Sequence, residues 1–211
     1  MTKRKALVLL ALGSMAIASL LQLPFSTTAN AEELTATAVL TSSSGESIGT
    51  ATFVEGANGI VLVTVTARNL APGAHGLHIH AVGRCDEPDF TSAGAHFNPY
   101  NRVHGFRSSE GAHAGDLPNL MVGQDGRGTL VFADTVINRF TLRGGPGSIL
   151  DADGSALIIH AGPDDEITDP TGNSGARVAC ALISAGAPAP TGPAVRPPST
   201  GDAGLAEAYT P

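Results

Sequence analysis

The chain has no tryptophan, two tyrosines and seven phenylalanines, and charged residues make up only 15% of its 211 positions. So low a charge density excludes a disordered polyelectrolyte, and a hydrophobic share of 42% is that of an ordinary globular chain. Lysine is confined to Lys3 and Lys5. Beyond Ala31, nine arginines stand against nineteen acids, a net charge of −10, which excludes the basic stripe that a nucleic-acid partner requires. No segment past that point carries a convincing helical repeat of apolar residues, so an all-α architecture is excluded too. Cysteine is limited to Cys85 and Cys180.

One long apolar run is present, from Ala6 to Leu23. It follows Met1-Thr-Lys-Arg-Lys5 and ends near Ala29-Asn30-Ala31, the layout of a secretory signal peptide: basic start, apolar middle, small-x-small cleavage site. Residues 1–31 are therefore expected to be cleaved, leaving residues 32–184 as the folded domain. An uncleaved membrane anchor is the alternative, since the run approaches spanning length; Gly13, Ser14, Ser19, Gln22 and Pro24 weigh against it. Either way the body of the protein is expected outside the cytoplasm, secreted, periplasmic or at the cell surface. Two cysteines in an exported chain invite a single disulfide, the alternative being two buried thiols. In the chain-entropy model a bridge over so long a loop stabilises by about 4 to 5 kcal/mol. Residues 185–211, with Ala187-Pro-Ala-Pro190 and Arg196-Pro-Pro198, read as an extended or disordered tail. Within it, Pro197-Pro-Ser-Thr-Gly201 lacks the leucine and the apolar and basic segments of a sorting signal.

From Leu34 to about Arg68 apolar residues alternate with small or polar ones, most clearly in Ile60-Val-Leu-Val-Thr-Val-Thr66. Breaks at Ser43-Ser44-Gly45 and Gly56-Ala-Asn-Gly59 mark hairpin turns. Further strands are expected at Gly76–His80, Gly128–Ala133, Phe140–Arg143, Ala156–His160 and Arg177–Ser184. Eight or so strands point to an antiparallel sandwich or flattened barrel. Two connections are too long for a minimal all-β domain: Ala81 to about Asn119, and Ala161–Ala176. Loops of that length are usually functional or disordered.

Seven histidines, at positions 75, 78, 80, 96, 104, 113 and 160, cluster in the centre of the chain. His78 and His80, two residues apart on a strand, share one face, while parity puts His75 on the other and favours a structural role for it. In the long loop, His96, His104, His113 and Asp116 supply three imidazoles and a carboxylate, enough for a closed zinc site. A loop with few apolar residues gains its organisation from such a metal. His160 ends an apolar strand at the mouth of the second loop. Seven candidate donors are too many for one four-coordinate metal and suit two. A zinc amidohydrolase would need a β/α barrel of about 250 residues and helices that are absent here.

Four segments, Gly76-Leu-His-Ile-His80, Ser92-Ala-Gly-Ala-His-Phe-Asn-Pro99, His113-Ala-Gly-Asp-Leu117 and Gly172-Asn-Ser-Gly-Ala-Arg-Val-Ala-Cys-Ala-Leu-Ile183, closely resemble the copper/zinc superoxide dismutase family. The resemblance runs from about Leu34 to Ser184. It implies an eight-stranded antiparallel Greek-key β-barrel with two long functional loops. It implies copper held by His78, His80, His96 and His160, and zinc held by His96, His104, His113 and Asp116, with His96 the bridge. Asp164 matches the family's carboxylate that links a copper-bound to a zinc-bound histidine, although with Asp165, Glu166 and Asp169 it most simply makes a solvated acidic loop. Thr171 and Arg177 match the residues flanking the open copper position, and Cys85 and Cys180 match the intrachain disulfide.

The implied activity is dismutation of superoxide to oxygen and hydrogen peroxide, with copper carrying the electron because zinc has no accessible redox change. His96 would act as bridge and proton carrier, Arg177 as the anion-holding group. The substrate is then a small anion, not a nucleic acid; homodimerisation is left open, and a membrane is involved only if residues 1–31 stay attached. The loop between His160 and Arg177 is shorter than in better-known members and has Pro170 where many place a steering lysine. A copper-delivery protein or a zinc-stabilised structural domain would keep the fold without turnover; loss of a copper ligand or of the arginine would favour them, and neither is lost.

Overall fold

A computed structural model describes residues 33–134 and 140–186. The expected signal segment at 1–31 and the tail from 187 onward lie outside the described residues. Nine strands follow in order: β1 Leu34–Ser42, β2 Ser47–Glu55, β3 Val61–Ala67, β4 Gly73–His80, β5 Asp116–Val122, β6 Gly128–Asp134, β7 Ala156–His160, β8 Arg177–Leu182 and β9 Ser184–Ala185. They form one sheet in the order β2-β3-β6-β5-β4-β7-β8-β1-β9, and β1 also pairs with β2, which closes the sheet into an eight-stranded antiparallel barrel with β9 appended. Consecutive strands β4, β5 and β6 have β7 beside β4, the Greek-key order. Among the described residues the only helical element is a 3-10 turn at Thr91–Ala93.

The alternation read in the sequence is the barrel's inside-outside pattern. Val61, Val63 and Val65 are fully buried while Leu62 and Thr66 face out; Ala36, Ala38 and Leu40 of β1 and Phe53 of β2 complete that side of the core. Phe53 and Phe140 meet edge to face at 6.5 Å between ring centres. On β4 and β7 both faces are buried. Leu77, Ile79, Leu157 and Ile159 belong to the barrel interior, whereas Ala156, Ile158 and Cys180 belong to a second apolar cluster with Phe90 and Ala93 of the long loop. The outer wall of β4 and β7 is therefore covered, and the cover is where the histidines lie.

Two expectations are corrected. The first loop ends at Gly115, because Asp116–Val122 forms β5 on β4; Pro118, which has no N–H to give a ladder, sits at a register shift. Phe140–Arg143 is not a strand. Thr141 makes only an isolated bridge to Ser148, and its backbone neighbours turn instead to buried Glu55, which accepts from Thr141 Oγ1 at 2.7 Å, Leu142 N at 2.6 Å and Arg143 Nε at 2.9 Å. At the C-terminal end pairing continues past Ser184: Ala36 faces Ala185, and Gly186 N donates to Thr35 O at 2.7 Å.

Candidate metal centre

Strand geometry presents the first three imidazoles. His78 and His80 stand on the outer face of β4, opposite Ile158 and Ala156 of β7, and His160 ends β7 at a register shift that sets it across from Arg177. The long loop returns to the same wall through an isolated bridge between His80 and His96. His75 is on the other face, as parity requires; its Nδ1 lies 2.7 Å from the His160 carbonyl and its Nε2 2.8 Å from that of Ala71.

Ring donors of His78, His80, His96 and His160 all come within 4.8 Å of one another, and all four residues are buried. In each ring one nitrogen is engaged. His78 Nε2 donates to Asp164 Oδ2 at 2.7 Å, His80 Nδ1 to Gly94 O at 2.9 Å and His160 Nδ1 to Gly175 O at 3.1 Å, while His96 Nδ1 lies 3.1 Å from Asp116 Oδ1. The other nitrogens, His78 Nδ1, His80 Nε2, His96 Nε2 and His160 Nε2, are buried with no hydrogen-bond partner. Buried polar atoms are nearly always satisfied, so four converging exceptions mark a site for a cation.

A second group, His78, His96, His104 and Asp116, satisfies the same 4.8 Å criterion. His113, expected in the zinc set, is close by. Around Asp116 Oδ1 stand His96 Nδ1 at 3.1 Å, His104 Nδ1 at 3.2 Å and His113 Nδ1 at 3.3 Å. Asp116 Oδ2 is held by the backbone N–H groups of Gly105 and His113 at 2.9 and 3.0 Å, which aims Oδ1 at the three rings. Asp164 lies between the two groups: His104 Nε2 donates to its Oδ1 at 3.0 Å, as His78 does to Oδ2. That approach requires glycine at 172, where φ is +62° and a Cβ would run into the Asp164 carboxylate.

Electrostatics divide the rings. Burial, reinforced by the neighbouring His96, pushes His80 down to about 2. Burial and the nearby His78 push His160 to about 3; burial lowers His96 to about 4, against the opposing pull of Asp116. These imidazoles are neutral at neutral pH and carry the lone pair a metal needs. For His104 burial also works downward, but hydrogen bonds with Asp116 and Asp164 outweigh it and raise the ring to about 10. Desolvation would raise both carboxylates, yet hydrogen bonds from His104 with those of His113 and His96, or of His78, hold Asp116 and Asp164 well below the usual carboxylate range.

Arg177 sits beside this wall with its guanidinium fixed: Nη1 donates to Phe90 O and Nη2 to Gly94 O, each at 2.6 Å. Thr171 is exposed, and its carbonyl accepts from Ser174 Oγ at 2.8 Å. Cys85 and Cys180 form a disulfide, tying the long loop to β8. The acidic loop is more than a solvated face: Asp169 accepts from His104 N at 2.8 Å, and Asp165 accepts from Ile167 N and Thr168 N. Sequence reasoning missed Asn119, which pairs with the backbone of Asp164, and the carbonyls of Gly94 and Gly175. A carbonyl leaves no signature in a residue name; Asn119 was hidden by its assignment to the end of a loop.

Residues 47–183 match the family model described as copper/zinc superoxide dismutase. The chain belongs to the copper/zinc superoxide dismutase family. It is similar to a copper/zinc superoxide dismutase of Aquifex aeolicus, 42% identical over 156 residues that cover 72% of this chain and 89% of that one. A copper/zinc superoxide dismutase of Caulobacter vibrioides is 41% identical over 149 residues, covering 70% and 84%. Among solved structures, the crystal structure of a superoxide dismutase-like protein from Bacillus subtilis has a TM-score of 0.64 at 41% identity, covering 69% of this chain and 95% of that one. The chain is thus a superoxide dismutase whose cofactors are copper and zinc, and its two donor clusters fit that pair of metals.

Proposed function

We propose that this copper/zinc superoxide dismutase holds copper with His78 Nδ1, His80 Nε2, His96 Nε2 and His160 Nε2. Zinc is held by Nδ1 of His96, His104 and His113 with Asp116 Oδ1, and His96 bridges the two. The observation that carries this reading is the set of four buried, converging, unpartnered imidazole nitrogens whose ring-mates are already engaged. Copper supplies the one-electron redox change that zinc lacks, so superoxide is oxidised to oxygen in one half-reaction and reduced to hydrogen peroxide in the other.

The protein's own groups do the rest. Asp164 fixes the orientation and tautomer of His78 and His104 by accepting from their Nε2 atoms. As a bridge His96 is without both ring protons, a state that requires cations at both nitrogens. Its Nε2 holds a proton whenever the bridge is open on that side, which makes it the proton carrier. Arg177, anchored on two carbonyls, keeps a fixed positive charge for the incoming anion, and Thr171 flanks the same approach. Residues 1–31 direct export, 32–184 form the enzyme and 185–211 a tail. The disulfide and the bacterial relatives support work outside the cytoplasm, against superoxide met there.

The test is the rate of superoxide disappearance with protein carrying one copper and one zinc, set beside His160→Ala. Rapid loss in the parent, with the variant falling toward the spontaneous rate while it keeps its zinc, is the expected result. Equal rates in the two would remove His160 from the copper set.

A further inference from the structure

We propose that Asn119 is a positioning residue for both metal sets, acting by clamping the backbone of Asp164. The inference rests on the ligand assignment made above and extends it by one residue.

The argument begins in β5. Between β4 and β5, His75 faces Leu120 and Leu77 faces Leu117, so Pro118 and Asn119 together oppose Gly76 alone. Two residues against one is a bulge, and a bulge re-aims the side chain it carries. Pro118 suits the place because it has no N–H to leave unpaired there. Asn119 is turned toward the second loop, 45 residues further along the chain. Its Oδ1 accepts from Asp164 N at 2.8 Å and its Nδ2 donates to Asp164 O at 2.9 Å. One amide side chain thus satisfies both backbone groups of one residue, an arrangement that fixes position and rotation together.

Asp164 has little freedom left. Its Oδ1 accepts from His104 Nε2 at 3.0 Å and Glu166 N at 2.6 Å, and its Oδ2 from His78 Nε2 at 2.7 Å. Each of these contacts leaves the opposite nitrogen of its ring, His78 Nδ1 and His104 Nδ1, for a metal. A shift of the Asp164 backbone would therefore move one ring of the copper set and one of the zinc set at once. The strand that holds the clamp also begins with Asp116, three residues before Asn119, so the zinc carboxylate and the bracing carboxylate are both referred to β5. Gly172 closes in from the other side, where no Cβ fits.

The test uses the full chain as Asn119→Leu, which keeps the volume and removes both hydrogen bonds, and as Asn119→Gln, which keeps the amide. Co(II) at the zinc set and Cu(II) at the copper set serve as probes, read by visible absorption and by electron paramagnetic resonance, with zinc retention measured against a chelator. Partners that orient metal-binding histidines are worth about ten- to a hundredfold in metal affinity. One step further out, Asn119→Leu is expected to weaken zinc retention by about tenfold and to alter both spectra, with partial recovery in Asn119→Gln. A folded, disulfide-bonded Asn119→Leu protein with parental spectra and parental zinc retention overturns the inference, even if its thermal stability falls, since Asn119 would then be a bulge residue and nothing more. Should Asn119→Leu not fold, Asn119→Ser is read by the same criteria. Failure of the underlying ligand assignment looks different: the parental spectra would then not respond to His104→Ala or His160→Ala.

Discussion

His80 and Arg177 hang on one backbone atom: the Gly94 carbonyl accepts from His80 Nδ1 at 2.9 Å and from Arg177 Nη2 at 2.6 Å. A ring of the proposed copper set and the cation at its approach are therefore held in register by the loop that carries His96. Gly94 has φ +74°, a conformation that side chains rarely adopt, so its carbonyl cannot readily be presented this way by another residue.

Arg177→Lys should keep the charge and lose the geometry. A lysine ammonium is a point donor and cannot span the Phe90 and Gly94 carbonyls as the planar guanidinium does. Focusing of an anion by a positioned charge is worth about 10- to 1000-fold in encounter rate, and the variant is expected to lose about tenfold, read by pulse radiolysis. In the parent, with a net charge of −10 beyond residue 31 and no lysine there, attraction is local. The rate should therefore fall less with ionic strength than in lysine-bearing members of the family; a steep fall between about 10 and 150 mM salt would contradict a local funnel, since the Debye length is about 8 Å at the upper value.

The metal-free protein should lose stability toward both acid and alkali, for opposite reasons. His80 and His160 are lowered to about 2 and about 3, so the stability tied to their neutral rings is complete above about pH 6.5 and drains away as pH falls toward those values. The lowered carboxyls of Asp116 and Asp164 add to the acid loss. His104 is raised to about 10, so its contribution is complete below about pH 6.5 and is lost as pH rises through about 10. Urea midpoints between pH 4 and 10 measure both limbs; zinc should flatten the alkaline one, because it takes the place of the His104 proton.

Cys85→Ala with Cys180→Ala should cost about 2 to 5 kcal/mol of unfolding free energy, the usual range for removing a native disulfide. The bridge joins the loop to β8 beside buried Phe90 and Ala93. Amide exchange should rise first between residues 81 and 115, with the β3 and β6 amides protected as before; a uniform rise would place the effect in the whole barrel.

The parts of this fold that could be read from residue order are those governed by period two. Val61, Val63 and Val65 against Leu62, Thr64 and Thr66 declare an inner and an outer face, and the same parity separates His75 from His78 and His80. Where a single interaction overrides the period, the reading fails. Phe140–Arg143 has strand-like residues, but Glu55, 86 to 88 positions away, captures their donors. Asp116–Val122 is a strand despite Pro118 because the bulge absorbs it. The histidines of the centre were legible because their types and motifs carry the chemistry. The carbonyls of Gly94 and Gly175, and the clamp from Asn119, were not, since each depends on which distant backbone the fold brings near.

Each proposed metal set draws on both the barrel wall and its cover. His78, His80 and His160 belong to strands and meet His96 from the loop; Asp116 begins β5 and meets His96, His104 and His113 from the same loop. A cation seated there works as a rivet through two plates. The lower plate is closed on itself through β1 and β2 and stands without it, so metal and barrel can be put together in either order, and what the metal decides is whether the upper plate stays down.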